Sequence, residues 1–449
     1  MNKNRTKKQP RKNQGKTNEQ LQELNKTLSK KPTIFHLLSQ RGKEIYYPKK
    51  GLLAQGKEAK GKKINATIGI AMEDDGTPMR LKSIASKVLL EPKQIFPYTD
   101  SFGNEELRNL WQKKIIYENP SLNANGKNII SKPLITAGIT HALSIVGYLF
   151  VDENDEIILP DLYWGNYRLI FQNTYGAKFA TYNTFKNNQS QLDLNSFKTA
   201  LSNKKSKKII LLNFPNNPTG YTPTQKEAEE IVNILVSRAK NGEKIAVICD
   251  DAYYGLFYNQ QSFKESLFSL LANAHENILA VKADGATKEE FAWGLRVGAI
   301  TFGSKGITEE ICIALENKTA GAIRATVSNV STLSQSLILQ ALNSPSHRIE
   351  KSDKFKILQE RFDEVKKVML DTKYQKYFTP LSFNSGYFMC VGLALGLDSE
   401  KIRQRLLQEY DTGVIALPQM LRISYASIAK DKIRILFENV YRACEEERK

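Results

Sequence analysis

The chain has 449 residues, of which 41% are hydrophobic and 25% charged, an ordinary balance for a soluble globular protein with room for two packed domains. No run approaches 18 consecutive apolar residues, so no transmembrane helix is expected. The net charge of +18 is localised: residues 1–63 hold 18 Lys/Arg against 4 Asp/Glu, whereas the other 386 hold 47 against 43, so the folded body carries no nucleic-acid-binding excess.

The opening stretch is rich in Lys, Asn and Gln and lacks the apolar segment of a secretory signal. Residues 1–31 are expected to be a disordered, solvated basic tail, whose contact with polyanions would be weak, salt-sensitive and non-specific. Gly15-Lys16-Thr17 is not a phosphate-binding loop, because Pro10 stands where that motif needs glycine. Residues 32–80 read as a segment that joins a small C-terminal domain. From residue 81 to 333 the pattern is that of a large α/β domain. Short apolar runs at 134–137, 156–159, 178–182, 208–214, 244–249, 278–283 and 296–302 alternate with helical stretches such as 140–151 and 223–240. That alternation predicts a mainly parallel seven-stranded sheet flanked by helices. Residues 334–449 read differently, with helices at 334–343, 352–370, 399–409 and 431–447 and strands at 383–391 and 421–425. They form a smaller α+β domain. Cys249, Cys312, Cys390 and Cys444 include no C-x-x-C pair, so they read as thiols rather than metal ligands or disulfides, and they point to a reducing, cytoplasmic compartment.

The chemistry-bearing residues fall just after the apolar runs, where open α/β sheets bind ligands. Asn217-Pro218-Thr219-Gly220 is followed by Asp250-Asp251-Ala252-Tyr253, then by Lys288 and, eight residues on, by Arg296. Together these supply an amine for an aldehyde, an anion for a ring nitrogen, donors for a ring hydroxyl and a guanidinium for a phosphate. Pyridoxal phosphate needs that set. Strand residues alternate in facing, so only one of Asp250 and Asp251 can point at a ring. Gly138-Ile139-Thr140 follows a strand and opens a helix, which puts backbone amides where an anion is favoured.

In these motifs and their order, from about residue 64 to 425, the chain resembles the class I/II aminotransferases of the fold-type I pyridoxal phosphate enzymes, and within them the aspartate aminotransferase-like group. The resemblance implies a transaminase that moves an amino group between an L-amino acid and a 2-oxo acid, in amino-acid metabolism. It implies that Lys288 is the catalytic lysine that condenses with the cofactor aldehyde. Asp250 is then the ring-nitrogen partner, and Asn217 and Tyr253 bind the ring hydroxyl. Gly138, Ile139, Thr140 and Arg296 hold the phosphate, and Trp164 stacks on the ring. Tyr98 resembles the tyrosine that crosses to a neighbouring subunit's phosphate, which implies a homodimer with shared active sites. Arg422 resembles the arginine for the substrate α-carboxylate. Arg324 falls where aspartate aminotransferases carry a second, cross-subunit arginine, and Gly69 lies in a segment similar to their N-terminal substrate segment. The second arginine would favour aspartate and glutamate. One departure stands out: the position three before the lysine, usually serine, is Gly285. A β-eliminating lyase on the same fold would share the cofactor residues. A transcription regulator with an aminotransferase-like domain would need a DNA-reading module, for which residues 1–63 are short and polar.

Overall fold

The computed structural model describes residues 19–30, 32, 35, 38–45, 52–123, 130–186, 190–203 and 206–448. The chain divides into two compact units, Met1–Ala54 and Gln55–Lys449. In the first, part of the stretch expected to be a disordered tail is a helix, α1 (Glu19–Ser29); the rest of the basic opening, 1–18, lies outside the described residues.

The second unit contains a seven-stranded sheet in the order β2-β8-β7-β6-β5-β3-β4. Its strands are β2 (Leu134–Thr136), β3 (Glu156–Pro160), β4 (Lys178–Tyr182), β5 (Lys207–Asn213), β6 (Lys244–Asp250), β7 (Ile278–Gly285) and β8 (Gly298–Gly303). All neighbours pair in parallel except β8, which runs antiparallel to both β7 and β2. The central strands are apolar on both faces, as a sheet covered twice requires. Helices α2 (Glu105–Glu118), α3 (Ile139–Phe150), α4 (Gln225–Lys240), α5 (Ala286–Glu289) and α6 (Glu309–Thr326) intervene or follow. Capping fixes their starts: Thr224 and Glu227 form a reciprocal capping box on α4, and Asn104 accepts from the Leu107 amide on α2.

After α7 (Thr332–Leu342), the long helix α8 (His347–Val368) leads into the smaller domain. That domain has an antiparallel sheet in the order β12-β13-β10-β9, built from β9 (Phe378–Pro380), β10 (Phe388–Leu393), β12 (Ile415–Leu417) and β13 (Met420–Ser424). Helices α9 (Ser399–Glu409) and α10 (Ile433–Glu447) belong to it, and a two-strand parallel pair, β1 (Ile64–Asn65) with β11 (Thr412–Gly413), ties in the N-terminal part of the unit. The strand expected at 383–391 begins only at Phe388, and the one expected at 296–302 begins at Gly298. Among the described residues no helix is long and apolar enough to cross a membrane.

Candidate active site

The carboxyl ends of β5, β6 and β7 lie side by side, with Asn213 opposite Asp250 and Asp250 opposite Ala283. Loops leaving those ends therefore converge. Asp250, 2% exposed, is the last residue of β6. Its Oδ2 accepts from the Tyr167 hydroxyl at 2.5 Å and its Oδ1 from the Ala252 amide at 3.1 Å. Burial pushes its pKa up to about 6, against the lowering pull of the Tyr167 bond and the Lys288 charge. Such a carboxylate is short of positive charge, and a protonated ring nitrogen would supply it. Asp251 faces the other way, into a buried pair with Lys282 at 2.5 Å and a bond from Ser266 at 2.6 Å. It is a structural carboxylate, and the alternation of facing holds.

Lys288 sits in the single turn α5, directly after β7. Its Nζ lies 4.9 Å from the centroid of the Tyr253 ring. Burial lowers its pKa to about 8; Asp250 opposes this and Arg296 reinforces it. A fraction of the amine is thus neutral, and nucleophilic, near neutral pH. Tyr253 is buried, which holds its phenol protonated, and the Asn217 side chain is in hydrogen-bond contact with it. Asn217 is held in turn by the Asn213 Oδ1, which accepts from its amide at 2.9 Å. The carbonyl of Gly220 accepts from the amides of Asn384 and Ser385, both at 2.9 Å, which seats this turn on the smaller domain.

Arg422 reaches the same place from β13. Its Nη1 donates to Asn217 Oδ1 and its Nη2 to the Thr67 carbonyl, both at 3.1 Å, and its guanidinium lies 4.4 Å from the Phe388 ring centroid. It is 6% exposed, its Nε has no partner, and no carboxylate among the described residues pairs with it. Burying a guanidinium without a counter-anion is costly, so the position is suited to an incoming carboxylate. Gly69 lies two residues beyond Thr67, and a Cβ there would lie 3.8 Å from Phe388 Cζ.

Gly138, the start of α3 and Arg296 form a cup suited to an anion. Gly138 caps α3 with φ +82°, and a Cβ there would lie 2.4 Å from Arg296 Nη2. Glycine thus lets the guanidinium lie against the chain at the start of α3, where the first backbone amides are free for an anion. Arg296 is exposed, in the left-handed region at φ +54°, with Nη1 bonded to the Trp293 carbonyl at 3.2 Å. Gly285 is explained by packing: a Cβ there would sit 2.7 Å from the Val297 carbonyl oxygen and 2.8 Å from Gly298 Cα. A serine does not fit. Thr287, two residues on, has a buried Oγ1 with no hydrogen-bond partner among the described residues, an orphaned donor of the kind a phosphate oxygen satisfies. Trp164 is half-buried and meets Tyr167 edge to face, with centroids 5.5 Å apart.

The family profile described as "Aminotransferase class I and II" matches residues 62–440. The chain belongs to that family. The aminotransferase is 25% identical over 394 residues to the aspartate aminotransferase of Bacillus subtilis strain 168, a match covering 82% of this chain and 90% of that one. It is 26% identical over 303 residues to a probable aspartate/prephenate aminotransferase of Aquifex aeolicus, covering 66% and 69%. Solved structures that share the fold include two aminotransferases. An aminotransferase of Anaerococcus prevotii superposes with a TM-score of 0.78 at 24% identity, covering 91% of this chain and 99% of that one. A Thermus thermophilus aspartate aminotransferase variant superposes with 0.72 at 19%, covering 90% and 99%.

Two expected site residues of the aminotransferase show no described contact with the residues of this site. Tyr98 is 91% exposed, and Arg324, near the end of α6, is exposed as well. Three residues beside the site were missed by sequence reasoning. Tyr167 acts through a tertiary contact with Asp250, and Asn213 links the Asn217 amide, four residues on, to the Asp250 carbonyl. His141 accepts from the Ala137 amide at 3.1 Å and lies 2.9 Å from Thr326 Oγ1, pinning the cup to the end of α6. The one sequence cue was their nearness to named motifs: Tyr167 stands three residues after Trp164 and His141 directly after Thr140.

Proposed function

We propose that this aminotransferase uses pyridoxal 5′-phosphate, with Lys288 as its catalytic lysine, and acts on an amino dicarboxylic acid such as aspartate or glutamate as a homodimer. The observation that carries the reading is the convergence of a lysine of lowered pKa, a proton-hungry buried carboxylate and an unpaired buried guanidinium around one crevice.

The cofactor, when bound, supplies an aldehyde and an electron-withdrawing ring that stabilises negative charge at the substrate α-carbon. Asp250, oriented by Tyr167, would keep a ring nitrogen protonated. Asn217 and Tyr253 would bond a ring hydroxyl. Arg296, Thr287 and the amides of Ile139 and Thr140, with Gly138 making room, would grip the phosphate. Trp164 would cover one ring face and keep water out. Arg422 would bind the substrate α-carboxylate through the guanidinium hydrogens not given to Asn217 and Thr67, the Nε–H among them. Lys288 Nζ would take the substrate α-proton as base and then, as acid, give it to the carbon that carried the cofactor's aldehyde.

Support for a dimer comes from the surface. Leu89, Phe96 and Tyr98 are 97%, 79% and 91% exposed, an apolar cost that a second copy would offset. Tyr98 and Arg324 would then reach the partner's crevice, Arg324 to meet a distal carboxylate. The relatives named for aspartate support that substrate class. Four buried free cysteines fit a reducing, cytoplasmic setting.

The test is borohydride reduction of the protein with pyridoxal phosphate, followed by peptide mass analysis. The expected label falls on the peptide containing Lys288 and disappears in Lys288→Ala. A label elsewhere, or turnover retained by the alanine variant, overturns the reading.

A further inference from the structure

The turn that carries Lys288 is anchored from behind by charged residues that nothing in the transamination chemistry uses. Lys288 faces the crevice, and the next two side chains face away from it. Glu289 and Glu290 are 5% and 0% exposed. Glu289 pairs with Lys114 of α2, and Lys351 of α8 stands 3.6 Å from it. Glu290 pairs with Lys351 at 3.1 Å and with His347 Nε2 at 2.6 Å, both on the first turns of α8. Burial alone would raise the Glu290 carboxyl; the Lys351 ammonium and the His347 bond outweigh it and hold it well below the usual range. The Glu290 amide closes the turn on the Ala286 carbonyl at 3.0 Å, and Phe291 follows in the left-handed region at φ +52°. A buried non-glycine residue held there needs its surroundings to keep it in place.

The other end of the clamp leads to the substrate side. Fourteen residues along α8 from His347, Arg361 donates from Nη1 to the Ala426 carbonyl at 2.6 Å. Phe362 packs against Tyr425, with ring centroids 6.3 Å apart. Ala426 stands four residues beyond Arg422 on the same chain segment, just past β13. One rigid helix therefore touches the lysine's turn at its head and the arginine's strand further along.

We infer that Glu290 is a positioning residue for Lys288: by tying the turn to Lys351 and His347 it fixes the amine in register with α8, and through α8 with the domain that carries Arg422. Glu290 touches neither substrate nor cofactor. The inference rests on the reading of Lys288 given above. The charges that act on the amine are Asp250, from β6, and Arg296, from the loop after α5, so a change at Glu290 reaches it through placement. A released turn lets water back to the amine, and rehydration raises its pKa.

The test labels Lys288 in cofactor-free protein with an amine-acylating reagent across pH, read by mass spectrometry of its peptide. In Glu290→Gln, which keeps shape and loses charge, the labelling midpoint moves up by about one pH unit. In the reconstituted enzyme kcat falls about tenfold while the substrate KM stays within about twofold. A lowered melting temperature with the midpoint and kcat unchanged overturns the inference, because that is what a merely structural pair produces. If Glu290→Gln does not fold, Lys351→Met decides, with the same midpoint shift expected and an unmoved midpoint overturning. The two readings fail separately. A wild-type Lys288 that labels with an ordinary lysine midpoint sinks its catalytic role; a depressed wild-type midpoint that no variant moves sinks only the role of Glu290.

Discussion

Asp250 and Arg422 carry unfavourable burial in the free protein, and that cost is informative. A carboxylate whose partners outweigh its burial has a depressed pKa, as Glu290 does. Asp250 has the reverse, about 6 against a usual 3.8. The sign follows from linkage: the penalty is fully present above about pH 6, where the folded state must hold the charge. It fades as pH falls toward the unfolded value, where both states are protonated. The groups facing it are Tyr167, Lys288, the Ala252 amide and Asp251, and the first three only partly offset burial. Asp250→Asn should therefore raise the melting temperature of the cofactor-free protein at pH 8, by the equivalent of about 3 kcal/mol. The gain should vanish near pH 4, while transamination is lost. Calorimetry at the two pH values checks it, and equal melting temperatures at pH 8 would contradict the assignment. Much of this residue-level picture was legible in advance, because Asp250, Lys288, Arg296 and Arg422 stand in motifs with fixed spacing. Tyr167 and Asn213 were not, since a hydroxyl or amide that bonds a residue dozens of positions away leaves no local periodicity.

The strands of the parallel sheet announce themselves as unbroken apolar runs, and their positions agree with expectation to within a few residues. The differences have local causes. The run at 296–302 loses its first two residues because Arg296 adopts a left-handed backbone that no strand accommodates. The pieces β1, β9, β11 and β12 have two or three residues each, too few for alternation to register. The antiparallel β8 also explains the departure at Gly285, since Val297 and Gly298 press directly on that position. Gly285→Ser should cost about 1–3 kcal/mol by overpacking, measured by denaturant titration, and should weaken rather than restore cofactor retention. A variant of unchanged stability would mean that β8 yields more readily than the packing implies.

At the scale of the molecule, the exposed Tyr98 and Arg324 make a complementation experiment decisive. Lys288→Ala and Arg324→Ala should each be nearly inactive toward aspartate. Mixed and refolded together, they should regain roughly a quarter of wild-type activity, since half of random dimers are mixed and each has one intact site. Failure of the mixture to exceed its parents would place Arg324 outside any shared site. The smaller antiparallel sheet was foreseen only in part, through the strands expected at 383–391 and 421–425. The helix Glu19–Ser29 was not foreseen, because the polar, lysine-rich composition around it masks a short amphipathic stretch.

The crowding at Gly285 has an evolutionary corollary. With the hydroxyl denied at that position and an orphaned one two residues downstream at Thr287, the spacing of the neighbouring strand and the choice of anion-gripping side chain become a joint inheritance. Neither can drift back to the commoner arrangement alone. A lineage, or an engineer, wishing to restore serine must first loosen the strand beside it.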